Sequence, residues 1–175
     1  YLATRQQQRF TVILAVARFV KVTARPVAEE LGRVHGTPGF HSRRIHPAAR
    51  TEPGMLFFRF NAPIVFFNAS AFQRAVLAAV DRAPPGLEWF VLDLFPITQV
   101  DATGLQTLRQ VNERLAGRGI RLVGAGRRTE VQSWLALSET AADRANVLLF
   151  PTMNAARHAF RAARKEEGEG EATPP

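Results

Sequence analysis

The 175-residue sequence contains no cysteine. A disulfide framework, a thiolate zinc site and a cysteine nucleophile are therefore excluded. No apolar run approaches the roughly 18 residues needed to cross a bilayer, so nothing in this chain spans a membrane alone. There is no G-x-S-x-G elbow, no pair of carboxylates spaced to share a substrate, and no internal repeat. An enzyme is disfavoured by the want of a catalytic constellation. What remains is ordinary for a globular domain: 46% hydrophobic and 22% charged residues, a balance that argues against wholesale disorder. A chain of this length can bury roughly 70% of its unfolded surface. It opens on Tyr1 and not on Met, which reads as a piece of a longer polypeptide or as a processed chain.

The net charge is +8, unevenly spread. Residues 1–53 carry nine basic and three acidic side chains, residues 54–150 ten and eight, and residues 151–175 four of each. The body is nearly neutral and the N-terminal arm is basic. Such an arm is solvated, lies near an anionic membrane surface, or touches nucleic acid. Neither interleaved aromatics nor a recognition helix is present, so no nucleic-acid partner is expected.

Along the chain, residues 1–22 read as an apolar and basic segment, juxtamembrane on one of two readings. Its stretch Phe10–Val22 is apolar almost all round but too short to span, with Arg18 and Lys21 interrupting it. It reads equally as the cytoplasmic end of a membrane helix or as an element packed on the domain; burial of Val12, Leu14 and Val16 would decide for the second. Residues 23–54 read as a linker, punctuated by Pro26, Gly32, Gly36, Pro38, Gly39, Pro47, Pro53 and Gly54. A domain is expected over residues 55–165 and a disordered Glu/Gly/Pro-rich tail over 166–175.

Within the domain, Met55–Phe60 and Pro63–Asn68 read as a β-hairpin around Asn61-Ala62. Ser70 and Gln73 have capping-box spacing ahead of a helix whose inner face is Phe72, Ala75, Val76, Ala79 and Val80, closed by Pro84-Pro85-Gly86. Leu87–Leu94 is a strand with both faces buried. Helices are expected at Thr103–Gly117, Thr129–Leu137 and Thr152–Lys165, and strands at Ile120–Val123 and Val147–Phe150. Alternating strands and helices imply an α/β fold: a mixed sheet, with an N-terminal hairpin and parallel strands joined by helical crossovers.

The stretch Val91–Leu105 is the most informative. A buried strand ends in Asp93, crosses a loop and enters a helix through Asp101-Ala102-Thr103-Gly104. Thr103 sits at a helix start, where unpaired backbone N–H groups and the positive end of the dipole would receive a phosphate. Thr103 and Gln106 also match a capping box, which alone accounts for the threonine and predicts a cost of about 0.5–2 kcal/mol for Thr103→Ala. Asp93 and Asp101 flank one loop, but Asp101 is better used bonding N–H groups near the helix start than chelating a cation. Gly124-Ala125-Gly126 reads as a turn or, less readily, an anion cradle. His35, His41 and His46 lie in the Pro/Gly-rich segment without acidic or thiol partners in register, so no metal site is expected. His158 reads as a half-buried helix residue. No cofactor is expected, although a small nucleotide- or anion-binding module using the loop Pro96–Gly104 stays open.

The hairpin Met55–Asn68, the strand Val91–Leu94 and Val100-Asp101-Ala102-Thr103-Gly104 ahead of an amphipathic helix resemble the STAS domain, over about residues 53–165. The resemblance implies a mixed sheet with helices mainly on one side, no catalysis, and one of two roles. One branch of the family comprises free-standing anti-sigma factor antagonists, phosphorylated by a partner kinase at the position matching Thr103; Asp93, Asp101, Ala102 and Gly104 then form its switch loop. The other is the C-terminal cytoplasmic domain of SulP-type anion transporters. Arg25–Val34 with Gly36–Phe40 looks like the linker after the last membrane span, and Phe58–Ala69 resembles the transporter's hairpin. On that reading the chain is a regulatory and interaction domain at the cytoplasmic face of the inner (plasma) membrane. Its partners would be the transmembrane portion of the same transporter, a second copy, a regulatory protein or kinase, and anionic lipid near the basic arm.

Overall fold

The computed structural model describes residues 11–15, 18, 26–126 and 148–171, with 167–171 described for the backbone alone. Its centre is a six-stranded mixed sheet of β1 (Ala28–Gly32), β2 (His41–Ser42), β3 (Met55–Phe60), β4 (Trp89–Asp93), β5 (Arg121–Ala125) and β6 (Leu148–Phe150), in the order β2-β1-β3-β4-β5-β6. β1 runs antiparallel to both its neighbours, and β3 to β6 are mutually parallel. The helices packed on the sheet are α1 (Ala69–Arg82), α2 (Ala102–Ala116) and α3 (Met153–Glu171). The expected helix Thr129–Leu137 and the strand residue Val147 lie outside the described residues.

Strand alternation assigns the two faces. Leu56, Phe58 and Phe60 of β3 and Phe90 and Leu92 of β4 meet Phe72, Val76, Val111 and Leu115 of α1 and α2. Met55, Phe57, Val91 and Val123 meet Ala156 and Phe160 of α3 on the opposite face. With both faces covered, the strand Met-Leu-Phe-Phe-Arg-Phe is buried almost throughout. Phe57, Phe58, Phe60, Phe72 and Phe90 are each at most 2% exposed, and each such burial is worth roughly 1.5–3 kcal/mol. The inner face expected for α1 holds for Phe72, Val76, Ala79 and Val80, with Ala69 beside them.

Four expectations are corrected. Residues 23–54 are not merely a linker: from Ala28 onward they supply β1, β2 and the isolated bridge Arg33↔Arg50. The polar residues of β1 hid its alternation because their charges are met from far away. Glu30 pairs with Arg43 (3.1 Å) and with Arg82 of α1 (2.9 Å), and Glu29 accepts from Ser42 and Arg44. Second, Pro63–Asn68 is not a hairpin partner of β3. The buried Asn68 amide closes it as a loop, accepting from Val65 N–H and donating to the Pro63 carbonyl, both at 2.9 Å. Third, α1 begins at Ala69 after Asn68, so Ser70 lies inside the helix and is not its cap. Fourth, α3 continues into the expected tail as far as Glu171; residues 172–175 of that tail lie outside the described residues.

Upstream, residues 11–15 and 18 are helical, and Val12, Ile13 and Leu14 are 61%, 64% and 74% exposed. The packed alternative for this segment is thereby set aside for its described residues; Val16 lies outside them.

Candidate functional site

Helix α2 opens beside the C-terminal ends of the parallel strands, where open α/β sheets place their functional loops. Its cap is Asp101 and not Thr103. Asp101 Oδ1 accepts from Gly104 N–H at 2.8 Å, and its backbone carbonyl accepts from Leu105 N–H at 2.8 Å. The capping box expected between Thr103 and Gln106 is thus displaced two residues upstream, onto the residue type that caps as well as any. Asp101 Oδ2 accepts from the Phe66 N–H at 2.8 Å. One carboxylate therefore holds the first turn of α2 and the loop entering α1. Both oxygens are committed to backbone donors, the use expected for Asp101.

The same two loops are joined by backbone. Ile64 N–H donates to the Gln99 carbonyl (3.0 Å) and Asp101 N–H to the Ile64 carbonyl (3.3 Å), making a parallel bridge between Ile64 and Val100. Gly104 fits beneath this bridge. A Cβ there would lie 2.1 Å from the Ile64 carbonyl oxygen and 3.0 Å from Val100 Cγ1. Close approach of two backbones is the reason for glycine at this position.

Asp93 lies deeper. It is 1% exposed at the end of β4, and its Oδ2 accepts from Arg59 Nε at 2.7 Å, directly across the β3–β4 register. Its Oδ1 accepts from Phe95 N–H at 3.1 Å, which fixes the departure of the loop. Asp93 and Asp101 do not converge on a cation; each carboxylate is spent on protein donors.

Of the expected switch loop, Ala102 and Thr103 are exposed, Asp101 is half-buried, and Gly104 and Asp93 are buried. Thr103 is the second residue of α2, and its carbonyl accepts from Thr107 Oγ1 at 2.8 Å. Next to this helix start the loop bonded by Asp101 exposes Phe66 (70%) and Phe67 (41%), and Phe95 (52%) is exposed on the loop leaving β4. The sequence pattern does not reveal Phe66 and Phe67 as exposed, because it places both in a strand. The available signal was Asn68 next to a helix start, which marks a turn and not a strand end. Elsewhere, Gly124 and Ala125 complete β5, and Gly126 N–H bonds the Phe150 carbonyl at 3.0 Å. The turn and the anion cradle considered there both give way to packing: a Cβ on Gly124 would meet Leu94 and Leu149 within 2.8 Å. The His41 ring lies edge-on to His46, its Nε2 3.0 Å from the Pro38 carbonyl, and His158 is exposed on α3. Among the described residues no three His, Asp or Glu side chains cluster as a metal site.

The sequence profile described as STAS domain matches residues 46–156, spanning β3 to the first turns of α3. The chain belongs to the STAS domain family. A Mycobacterium tuberculosis protein named probable sulfate transporter is 33% identical to this STAS chain over 150 residues, covering 86% of the chain and 27% of that protein. Sulfate transporter 3.1 of Arabidopsis thaliana is 24% identical over 140 residues, covering 75% and 21%. The STAS chain thus spans about a quarter of the length of the curated relatives it matches. Among solved structures, the murine Slc26a9 anion transporter in its inward-facing state shares the fold, with a TM-score of 0.71 at 17% identity over 88% of this chain and 24% of that one. A Thermotoga maritima protein assigned as an anti-sigma factor antagonist shares it less extensively, with a TM-score of 0.53 over 64% of this chain and 92% of that one.

Proposed function

We propose that this STAS domain is the regulatory and interaction domain of a SulP-type transporter that moves sulfate, bicarbonate or a similar anion. It would sit at the cytoplasmic face of the inner (plasma) membrane, with the transmembrane portion of the same polypeptide as its principal partner. The observation that carries this reading is the similarity to the Mycobacterium sulfate transporter, which extends over 86% of the chain. The exposed helical Val12, Ile13 and Leu14 support it, since an apolar helix surface left in water fits a segment that continues toward a bilayer. Among the described residues no helix is long and apolar enough to cross a membrane, so transport belongs to a part outside them. The domain's contribution is contact and control, not catalysis.

The control surface in this reading is the start of α2. Thr103 is accessible there, close to N-terminal amides that favour an anion. A phosphate on its hydroxyl would add about −1.5 to −2 charges at neutral pH beside Asp101 and the loop that exposes Phe66 and Phe67. A kinase or regulatory protein acting here, or a second copy docking here, would be read by the membrane part. The alternative, a free-standing antagonist switched at Thr103, keeps the same surface; the Thermotoga likeness supports it over a smaller share of the chain.

The encoding DNA upstream of Tyr1 separates the two. A continuous frame with many apolar spans is expected. Sulfate uptake by the full polypeptide should then change with Thr103→Glu and hold with Thr103→Ser. A frame opening near Tyr1 beside a kinase and a sigma factor would refute the transporter reading.

A further inference from the structure

A second feature lies on the opposite face of the sheet, away from α2. Arg33 and Arg50 face each other across an antiparallel bridge, each N–H donating to the other's carbonyl at 2.9 Å. In such a hydrogen-bonded pair the Cα atoms stand about 5.5 Å apart and the side chains rise on one face. That face follows from alternation: Leu31, two residues before Arg33, packs with Phe57 and Phe160 on the α3 side. Like charges placed directly opposite destabilise a strand pair. Neither arginine has an ion pair or side-chain hydrogen bond among the described residues.

Both line a cleft of about 700 Å³, floored by Phe40 and Phe57 and walled by Arg157 and Arg161 of α3. Its carboxylate is Glu52, which accepts from Arg157 Nε at 2.5 Å and Arg161 Nε at 2.8 Å. Arg157 is held there with a side chain 13% exposed. Four arginines and one carboxylate thus line the cleft, a surplus of three positive charges in a concavity within the usual ligand-site range of about 300–1,000 Å³. Each bond to Glu52 uses Nε, and a guanidinium presents four further N–H donors.

We propose that this cleft binds a molecule carrying two or more phosphate groups. Planar guanidinium forks match phosphate oxygens in pairs. One phosphate monoester supplies roughly −1.5 to −2 charges, short of the surplus, and a diphosphate roughly balances it. The ligand relieves the Arg33–Arg50 repulsion, so the pair is disfavoured when empty and favoured when filled. The source is a soluble polyphosphate or the multiply phosphorylated headgroup of a lipid. The site shares no residue with the Thr103 surface and does not depend on the transporter reading.

The test is calorimetric titration of inorganic pyrophosphate into the 175-residue chain at about 150 mM salt, where exposed charges are screened beyond about 8 Å. A parallel arm measures sedimentation with phosphatidylcholine vesicles doped with phosphatidylinositol bisphosphate. The Arg33→Gln/Arg50→Gln variant is expected to bind at least about tenfold more weakly, and to melt no lower than the parent without ligand. Arg161→Gln, on a different element, gives an independent reading if the double variant folds poorly. Pyrophosphate binding lost in the variants supports the soluble source. Capture by the doped vesicles alone, lost in the variants, supports the headgroup. Absence of binding in both arms, or binding that neither variant weakens, overturns the proposal.

Discussion

Replacing Gly104 by alanine should destabilise the domain, against the usual trend for helices. In a helix interior, Gly→Ala gains about 1 kcal/mol from propensity. Here the added Cβ would stand 2.1 Å from the Ile64 carbonyl oxygen and 2.9 Å from its carbon. An ordinary carbon–oxygen contact needs more than 3 Å, so something must move by about an ångström. The obstacle is backbone, held by Ile64 N–H to Gln99 and Asp101 N–H to Ile64. It cannot turn away as a side chain would. Overpacking of this kind costs about 1–3 kcal/mol and sometimes more; an immobile backbone places Gly104 at the upper end. The net loss should be about 2 kcal/mol or more, which lowers the melting temperature by about 4–8 °C in a domain of this size. Urea unfolding followed by tryptophan fluorescence measures it, with Gly117→Ala as the control. Gly117 ends α2 at φ −62°, and its Cβ would meet the Glu113 carbonyl oxygen at 3.4 Å, an ordinary contact. Alanine there should be neutral or stabilising by up to about 1 kcal/mol. A Gly104→Ala protein as stable as the parent would refute the account of the two loops as one clamped unit.

Asp101→Ala removes the cap of α2 and the anchor of Phe66 N–H and should cost about 1–2 kcal/mol, whereas Thr103→Ala, at an exposed position that caps nothing, should stay within about 0.5 kcal/mol; paired urea midpoints decide between the two residues. Arg59→Ala strands the Asp93 carboxylate at 1% exposure and should cost about 3 kcal/mol, so a value below about 1 would mean that Phe95 N–H alone satisfies the charge. Burial raises the pKa of Glu52, but hydrogen bonds from Arg161 and Arg157 and their charges outweigh it and leave the group below its ordinary 4.5. Its pairing therefore stabilises the fold fully above about pH 4.5 and loses that contribution as pH falls through the lower folded value. The stability gap between the parent and Glu52→Gln should shrink on acidification, and a gap that widens would reverse the sign.

Where burial is two-sided and periodic, the sequence read well. Met55–Phe60 and the strand ending at Asp93 lie within the expected runs, and α1 buries Phe72, Val76, Ala79 and Val80 of the five residues its period nominates, with Ala75 half-buried. The misreadings share a cause: distant partners override local pattern. Glu29 and Glu30 look like linker residues until Arg44, Arg43 and Arg82 arrive from up to 52 positions away. Pro63–Asn68 carries strand-forming residues, yet a buried Asn68 amide and the bridge to Val100 fold it back. At the candidate site the residues were legible and one assignment was not. Asp-Ala-Thr-Gly announces a capped helix start, but two residues of that motif are able to cap. The choice fell to Asp101 because its carboxylate serves Gly104 and Phe66 at once, a geometry that needs the second loop in place. The Arg33–Arg50 pairing was likewise invisible, since it depends on a register between segments of irregular composition.

The shared carboxylate has a mechanical corollary. Because Phe66 and Gly104 hang from the two oxygens of one side chain, the doorways of both helices on that face swing together or not at all. A push on the helix bearing Thr103 arrives at the aromatic lip of the neighbouring loop without crossing the sheet, so the message stays at the rim and the buried framework need not hear it.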